Sequence, residues 1–308
     1  MKRAVRNSMV VRTLRVRSVA LLAAAISILL AMVMGLPGAV SPLHAEPPAR
    51  ITGKNGHVFI VVPEGSYEVG AKGHERNPLR TVTLKSYAIA EAETTNAQFA
   101  AFVEATGYVT DAEKRGSGKV AVEGMPDWAW EQIPGAHWRK PFGDNGKSWD
   151  ELKDHPVTQI SGADAAAYCA WLGGRLPTLP EWEVAARAGK ATRYPWGNKY
   201  DVKLANTWNG ESHMKDTKED GYLYTAPVKS FPPNAWGLYD VIGNVFEYCT
   251  GLPAGARPGE EKRLVAGRGG SWWCSANTCS FFNLVDIGQM DRHGSLANQG
   301  MRVVVEVP

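Results

Sequence analysis

Cys274 and Cys279 are separated by four residues and follow directly on Arg268-Gly269-Gly270-Ser271-Trp272-Trp273. Two thiols on one short segment have a limited chemistry. They can bridge, they can stay buried and reduced, or their thiolates can approach one soft ion. Cys169 and Cys249 bring the thiols to four, which allows three disulfide pairings, and in an exported protein bridges are the default reading. Trp272 and Trp273 read equally as a substrate wall and as core filling. The other residues suited to chemistry are scattered. His57, His74, His137, His155, His213 and His293 show no i, i+4 pair, so each reads as a surface or hydrogen-bonded histidine rather than a ligand. No P-loop, dinucleotide-binding glycine pattern or G-x-S-x-G elbow occurs.

The elements that must position these residues are short. With 32 Gly and 19 Pro in 308 residues, turns are favoured over long helices, and 11 Trp promise heavy aromatic packing. Val58 to Val62 is an apolar run stopped by Pro63-Glu64-Gly65, a strand then a turn, and Arg80 to Leu84 is a second strand. Thr95-Asn96-Ala97-Gln98 is a capping box that opens a helix ended by Gly107. Ser161 to Asp164 opens a second helix, closed at Gly173-Gly174, and Thr178 to Glu181 a third, with Gly189 after it. Residues 109–155 read as a long packed loop, and no helix is expected after residue 190. The fold class is α+β, one domain over residues 57–308, behind a polar linker over 46–56.

The first 45 residues read as an address. Lys2, Arg3, Arg6, Arg12, Arg15 and Arg17 precede an apolar run from Val19 to Val40, and a small-residue stretch closes at Ala45. This is the layout of a signal peptide cut after Ala45, with an uncleaved N-terminal anchor as the alternative. Either implies a body outside the cytoplasm, in a bacterial periplasm. Those six basic residues come with no acid, so the +3 of the whole chain becomes −3 for residues 46–308. A mildly acidic body argues against a nucleic-acid partner. No later segment has a long apolar run, so no membrane contact is expected beyond the N-terminal signal, and a monomer is expected.

Several blocks, in order, resemble the formylglycine-generating enzyme family, or sulfatase-modifying factors, which includes a pyoverdine-maturation branch. They are Gly173-Gly174-Arg175-Leu176-Pro177-Thr178 running into Glu181-Trp182-Glu183-Val184-Ala185-Ala186-Arg187, then Tyr194-Pro195-Trp196-Gly197 and Asn206-Thr207-Trp208-Asn209-Gly210. Gly237-Leu238-Tyr239-Asp240, Gly243-Asn244-Val245-Phe246-Glu247-Tyr248, Arg268-Gly269-Gly270-Ser271-Trp272 and Gly300-Met301-Arg302 follow. The resemblance implies a compact, irregular fold, distantly like C-type lectins, with few helices, short strands and long loops.

It also implies a site. Cys274 and Cys279 fall on the family's active-site pair, which binds Cu(I), with Ser271 as a further catalytic residue. Trp272, Trp273, Phe246, Ser275 and Thr278 would line the substrate pocket. Two calcium ions are implied: one held by Asn206 and Asp220 side chains with Thr207 and Tyr222 carbonyls, the other by Asp240 and Glu247 side chains with Gly243 and Val245 carbonyls. Mixed carboxylate and carbonyl oxygens suit that hard cation. Cys169 would be a buried free thiol, because the position that pairs with it in disulfide-bearing relatives is Val303. The substrate side departs from the family. Ser275 and Thr278 stand where sulfatase converters carry His and Tyr, and Ser280 to Ile287 replaces an arginine-rich run.

The function implied is a copper-dependent, dioxygen-using oxidase acting on a thiol-containing exported protein or peptide, converting a sulfatase-type cysteine to formylglycine. A periplasmic maturation oxidase of a siderophore precursor is an alternative within the enzyme class. A non-catalytic binding module with a structural Cys274–Cys279 bridge is the alternative outside it.

Overall fold

The computed structural model describes residues 48–307. The expected signal, its cut after Ala45 and the first two linker residues lie outside the described residues. The strands in chain order are β1 (Arg50–Thr52), β2 (Val58–Val62), β3 (Gly65–Val69), β4 (Arg80–Leu84), β5 (Tyr87–Ala90), β6 (Ser117–Val120) and β7 (Glu131–Pro134). They continue with β8 (Phe246–Cys249), β9 (Leu264–Arg268), β10 (Gly288–Asp291), β11 (Gln299–Gly300) and β12 (Val304–Glu306). The α-helices are α1 (Asn96–Thr106), α2 (Asp111–Arg115), α3 (Gly162–Leu172) and α4 (Leu179–Arg187).

The four α-helices of the described residues start in the same way. Thr95, Thr110, Ser161 and Thr178 each accept the backbone N–H three residues on, and Gln98, Glu113, Asp164 and Glu181 return the bond. These reciprocal boxes satisfy donors that a helix start leaves open. Gly107, Gly116 and Gly173 end α1 to α3 in the left-handed region, and Ala188 does the same for α4.

Two sheets carry the core. The first runs β1-β2-β5-β12, all antiparallel, with Ile60 opposite Ile89 and Ile89 opposite Val304. The second runs β10-β9-β8-β11, with β8 and β11 parallel. Strand β8 is buried at every position, so its side chains, Glu247 among them, are enclosed by protein. β3 pairs with β4 and β6 with β7 as two-stranded ribbons. A second apolar cluster, with Trp208, Trp272, Trp273, Val120 and Ala136, lies apart from the main core.

Three expectations need correction. Residues 50–52 of the expected linker are strand β1, paired with β2, because their backbone completes the edge of the first sheet. Residues 109–155 are not all loop: α2, β6 and β7 lie there. Gly65 does not stop the chain at a turn but begins β3. The fold is α+β, with few helices and short strands, as expected.

Candidate active site

Strand β9 delivers Arg268 to the interior, and Gly269 and Gly270 then turn the chain at φ of 86° and 77°. At Gly270 a Cβ would lie 2.5 Å from the Phe282 backbone, so only glycine lets the segment fold back on residue 282. The turn sends Ser271 to Cys279 into a pocket of bonds from other segments. Trp272 N–H donates to the Asn244 carbonyl at 2.9 Å, and Trp208 N–H donates to the Cys274 carbonyl at 2.9 Å.

The structure brings the two cysteines together. Their sulfurs are 2.6 Å apart, and both side chains are buried. Ser271 Oγ lies 3.8 Å from Cys274 Sγ and accepts from Asn298 Nδ2 at 2.9 Å. Burial, and next the adjacent Cys279, push the Cys274 thiol well above its ordinary range. The hydrogen bond from Cys274 holds Cys279 below it. The two thiols therefore titrate as a pair. Burial pushes the remote thiols of Cys169 and Cys249 upward, so they stay protonated and inert.

The expected pocket residues divide. Ser275 Oγ and Thr278 Oγ1 are 2.9 Å apart on the loop between the cysteines, with Thr278 half-buried. Trp272 and Trp273 are 1% and 2% exposed, so they fill the second apolar cluster and form no open wall. Phe246 is buried in the main core. On the far side of the pair, the charge acting on Cys279 is acidic: Asp286 pushes its thiol upward. Asp286 is held by His74 Nε2 at 2.7 Å and by Asn283 Nδ2 at 2.5 Å. Asp286 thus lies in the Ser280 to Ile287 run, whose Phe281, Asn283 and Ile287 stand where the family pattern has arginines.

The two expected calcium sets lie back to back, because Asn206 bridges to Gly243 and its carbonyl accepts from Asn244 N–H at 2.8 Å. In the first set, Asp220 accepts from the N–H groups of Thr207 and Tyr222 at 2.9 and 3.0 Å, and burial pushes its carboxyl up to about 6. The Asn206 amide nitrogen turns away, toward Tyr224 O and Asn244 Oδ1. In the second set, Glu247 is gripped by Arg302 at 2.7 and 2.8 Å and by Trp182 Nε1 at 2.7 Å. Asp240 Oδ2 accepts from Lys229 N–H at 2.6 Å, while its buried Oδ1 has no partner. Burial pushes the Asp240 carboxyl up to about 6.

Glu93 belongs to the second set and was not expected there. It is 1% exposed and accepts from Asn244 Nδ2 at 2.6 Å. Burial, then Asp240 and Glu247, push its carboxyl far up. In the sequence Glu93 follows Tyr87-Ala88-Ile89-Ala90-Glu91-Ala92 as the second of two acids, and nothing local sets it apart from Glu91. The unserved Asp240 oxygen and the surplus of acids fit a hard cation. Among the described residues no three His, Cys, Asp or Glu side chains converge as a ready ligand set. A cation here would thus need the carbonyls as well, and the two-sulfur set of Cys274 and Cys279 suits a soft ion of low coordination number.

A profile of the sulfatase-modifying factor enzyme 1-like domain matches residues 45–307. The chain is 37% identical over 284 residues to the formylglycine-generating enzyme of Thermomonospora curvata, across 80% of this chain and 93% of the relative. It is 38% identical over 250 residues to inactive C-alpha-formylglycine-generating enzyme 2 of Mus musculus, across 74% of this chain and 76% of the relative. Among solved structures, that of PvdO from Pseudomonas aeruginosa has a TM-score of 0.60 at 26% identity, across 86% of this chain and 100% of that one. With its R-G-G-S turn and paired thiols in family order, the chain belongs to the formylglycine-generating enzyme family of sulfatase-modifying factors.

Proposed function

We propose that this protein is an exported oxidase of formylglycine-generating type, which uses dioxygen and a Cu(I) site at Cys274 and Cys279 to oxidise a thiol-bearing substrate. The observation that carries this reading is the convergence of two buried sulfurs, 2.6 Å apart, at the family's reactive position. When bound, copper supplies the activation of dioxygen. The chain's own residues do the rest. Asn298 fixes Ser271 beside Cys274, and the burial of both cysteines keeps water from the pair. Calcium at the two carboxylate sets would brace the segments that back the site. The basic, apolar N-terminal segment supports export to the periplasm. The protein would act there as a monomer.

The substrate is a protein or peptide cysteine or, as a second reading, a siderophore precursor of the pyoverdine-maturation kind. The loss of arginines favours the second, because Phe281, Asn283 and Ile287 stand where arginines hold the peptide in sulfatase converters. The likeness to PvdO points the same way.

Titration of the reduced protein with Cu(I), together with oxygen consumption, tests the proposal. Cys274→Ser and Cys279→Ser should each abolish both, and Cys169→Ser should spare both. Unchanged copper stoichiometry in the first two variants, or a Cys274–Cys279 disulfide that persists in the protein as purified and resists reduction, would return the chain to a binding module.

A further inference from the structure

His213 stands on the segment that follows Trp208-Asn209-Gly210, sixty residues before the thiol loop, and is 1% exposed. Its ring lies parallel to that of Trp273, with centroids 3.7 Å apart and planes at 5°. Nδ1 lies 2.6 Å from Asp127 Oδ1. Nε2 lies 2.8 Å from the Trp273 carbonyl oxygen and 3.5 Å from Thr278 Oγ1. Trp273 and Thr278 are the residues immediately before Cys274 and Cys279. One imidazole thus touches both arms of the C-x4-C loop.

Both strong contacts of the ring are to acceptors, a carboxylate and a carbonyl. A neutral imidazole has one N–H and serves only one of them, whereas a ring with two N–H protons serves both. The Asp127 carboxylate anchors Nδ1, and the ring stacks on the face of Trp273. The same segment grips the loop twice more: Trp208 N–H donates to the Cys274 carbonyl, and Asn277 Nδ2 donates to the Glu211 carbonyl at 3.3 Å. Within the loop, the Ser275–Thr278 contacts close the turn but do not reach across to the 208–213 segment.

We infer that His213, anchored by Asp127, is the positioning residue of the thiol pair, holding the Trp273–Cys274 and Thr278–Cys279 arms at the separation that brings the sulfurs together. The inference deepens the reading of Cys274 and Cys279 as a reactive pair and rests on it for its functional meaning. The geometry of the clamp does not depend on which metal or substrate the pair takes.

The test uses the full chain with His213→Asn and Asp127→Asn, each read in two ways. Cu(I) affinity, by competition with a chromophoric chelator, should fall at least ~10-fold in His213→Asn, the effect expected when a residue that orients a metal ligand is lost. Asp127→Asn should fall in the same direction by less, since its amide oxygen still accepts from Nδ1. The alkylation rate of the reduced Cys274/Cys279 pair by iodoacetamide should rise in both variants, while buried Cys169 stays unreactive. A general loosening of the fold would expose Cys169 as well and would overturn the inference. So would unchanged affinity and alkylation in His213→Asn, or, if that variant does not fold, in Asp127→Asn. If the wild type binds no Cu(I), the copper reading fails, and the alkylation arm still decides the clamp.

Discussion

Trp182 stands between two buried charge clusters of opposite balance. Its ring face lies 4.8 Å from the Arg268 guanidinium, and its Nε1 donates to Glu247. On the Arg268 side, Glu183 is served by Arg187 at 2.8 Å, Arg268 at 2.9 Å, Asn77 at 2.7 Å and the Gly70 N–H at 2.6 Å. Burial pushes the Glu183 carboxyl up, but the two guanidinium groups outweigh it and hold the carboxyl below its usual range. On the Glu247 side, three carboxylates, Glu93, Asp240 and Glu247, share one fully buried guanidinium, Arg302, and an Asp240 oxygen has no partner. The first cluster holds two guanidinium groups for one carboxylate and, although Arg268 Nε has no partner, fixes Leu284 and Val285, next to the thiol loop, through the remaining Arg268 donors. The second carries surplus negative charge in a place with no water, a condition that favours either protonated carboxyls or a bound cation.

The largest effect should come from removing the cation of the deficient cluster. Arg302→Met leaves Glu247 buried without its charge partner and should cost about 3–5 kcal/mol in urea unfolding. Arg268→Met leaves Glu183 with Arg187, Asn77 and the Gly70 amide, and should cost less, about 1–3 kcal/mol, from the carbonyls left unserved. Equal losses would break the contrast between the clusters.

Calcium should separate them next. Adding calcium at 100 times its dissociation constant should stabilise the protein by about 2.7 kcal/mol, and a chelator should reverse this. The pH dependence has a definite sign. In metal-free protein the folded Asp240 carboxyl titrates near 6, above its ordinary value. A raised folded value means that the native state holds the extra proton, so stability falls as pH rises from about 4 through about 6. Thermal melts of chelated protein across that range should show the fall, and calcium should suppress it. Asp240→Asn should reduce both responses and leave the part that Asp220, also raised to about 6, contributes. A chelated protein whose melting temperature is level over that window would remove the calcium assignment.

The smallest effect serves as the control. Thr110→Ala deletes the cap of α2, which touches neither cluster, and should cost about 1 kcal/mol while leaving the calcium response intact. A changed calcium response in that variant would mean that the melts report global loosening and not the acidic cluster.

What could be read along the chain is what is written locally. A capping box is complete within four residues, so the starts of α1, α3 and α4 were legible at Thr95, Ser161 and Thr178. The same signal at Thr110 to Glu113 passed unread, because α2 is five residues long and buries only Ala112, too little for a hydrophobic period. The C-x4-C spacing and the ordered family blocks likewise pointed to the thiol pair before any coordinate. The rest depends on residues far apart in sequence. Glu93 reaches Asn244 across 151 positions, Arg302 reaches Glu247 across 55, and His213 reaches the Trp273 carbonyl across 60. No local pattern marks such pairs, because each side chain alone is an ordinary buried acid, arginine or histidine. Tertiary packing strips water from them, and a desolvated polar group must then find a partner wherever the fold supplies one. The chain's local order thus determined the thiol pair and three helix starts, while packing decided that one charge cluster would hold two guanidinium groups for one carboxylate, the other one for three, and the thiol loop be clamped by an imidazole.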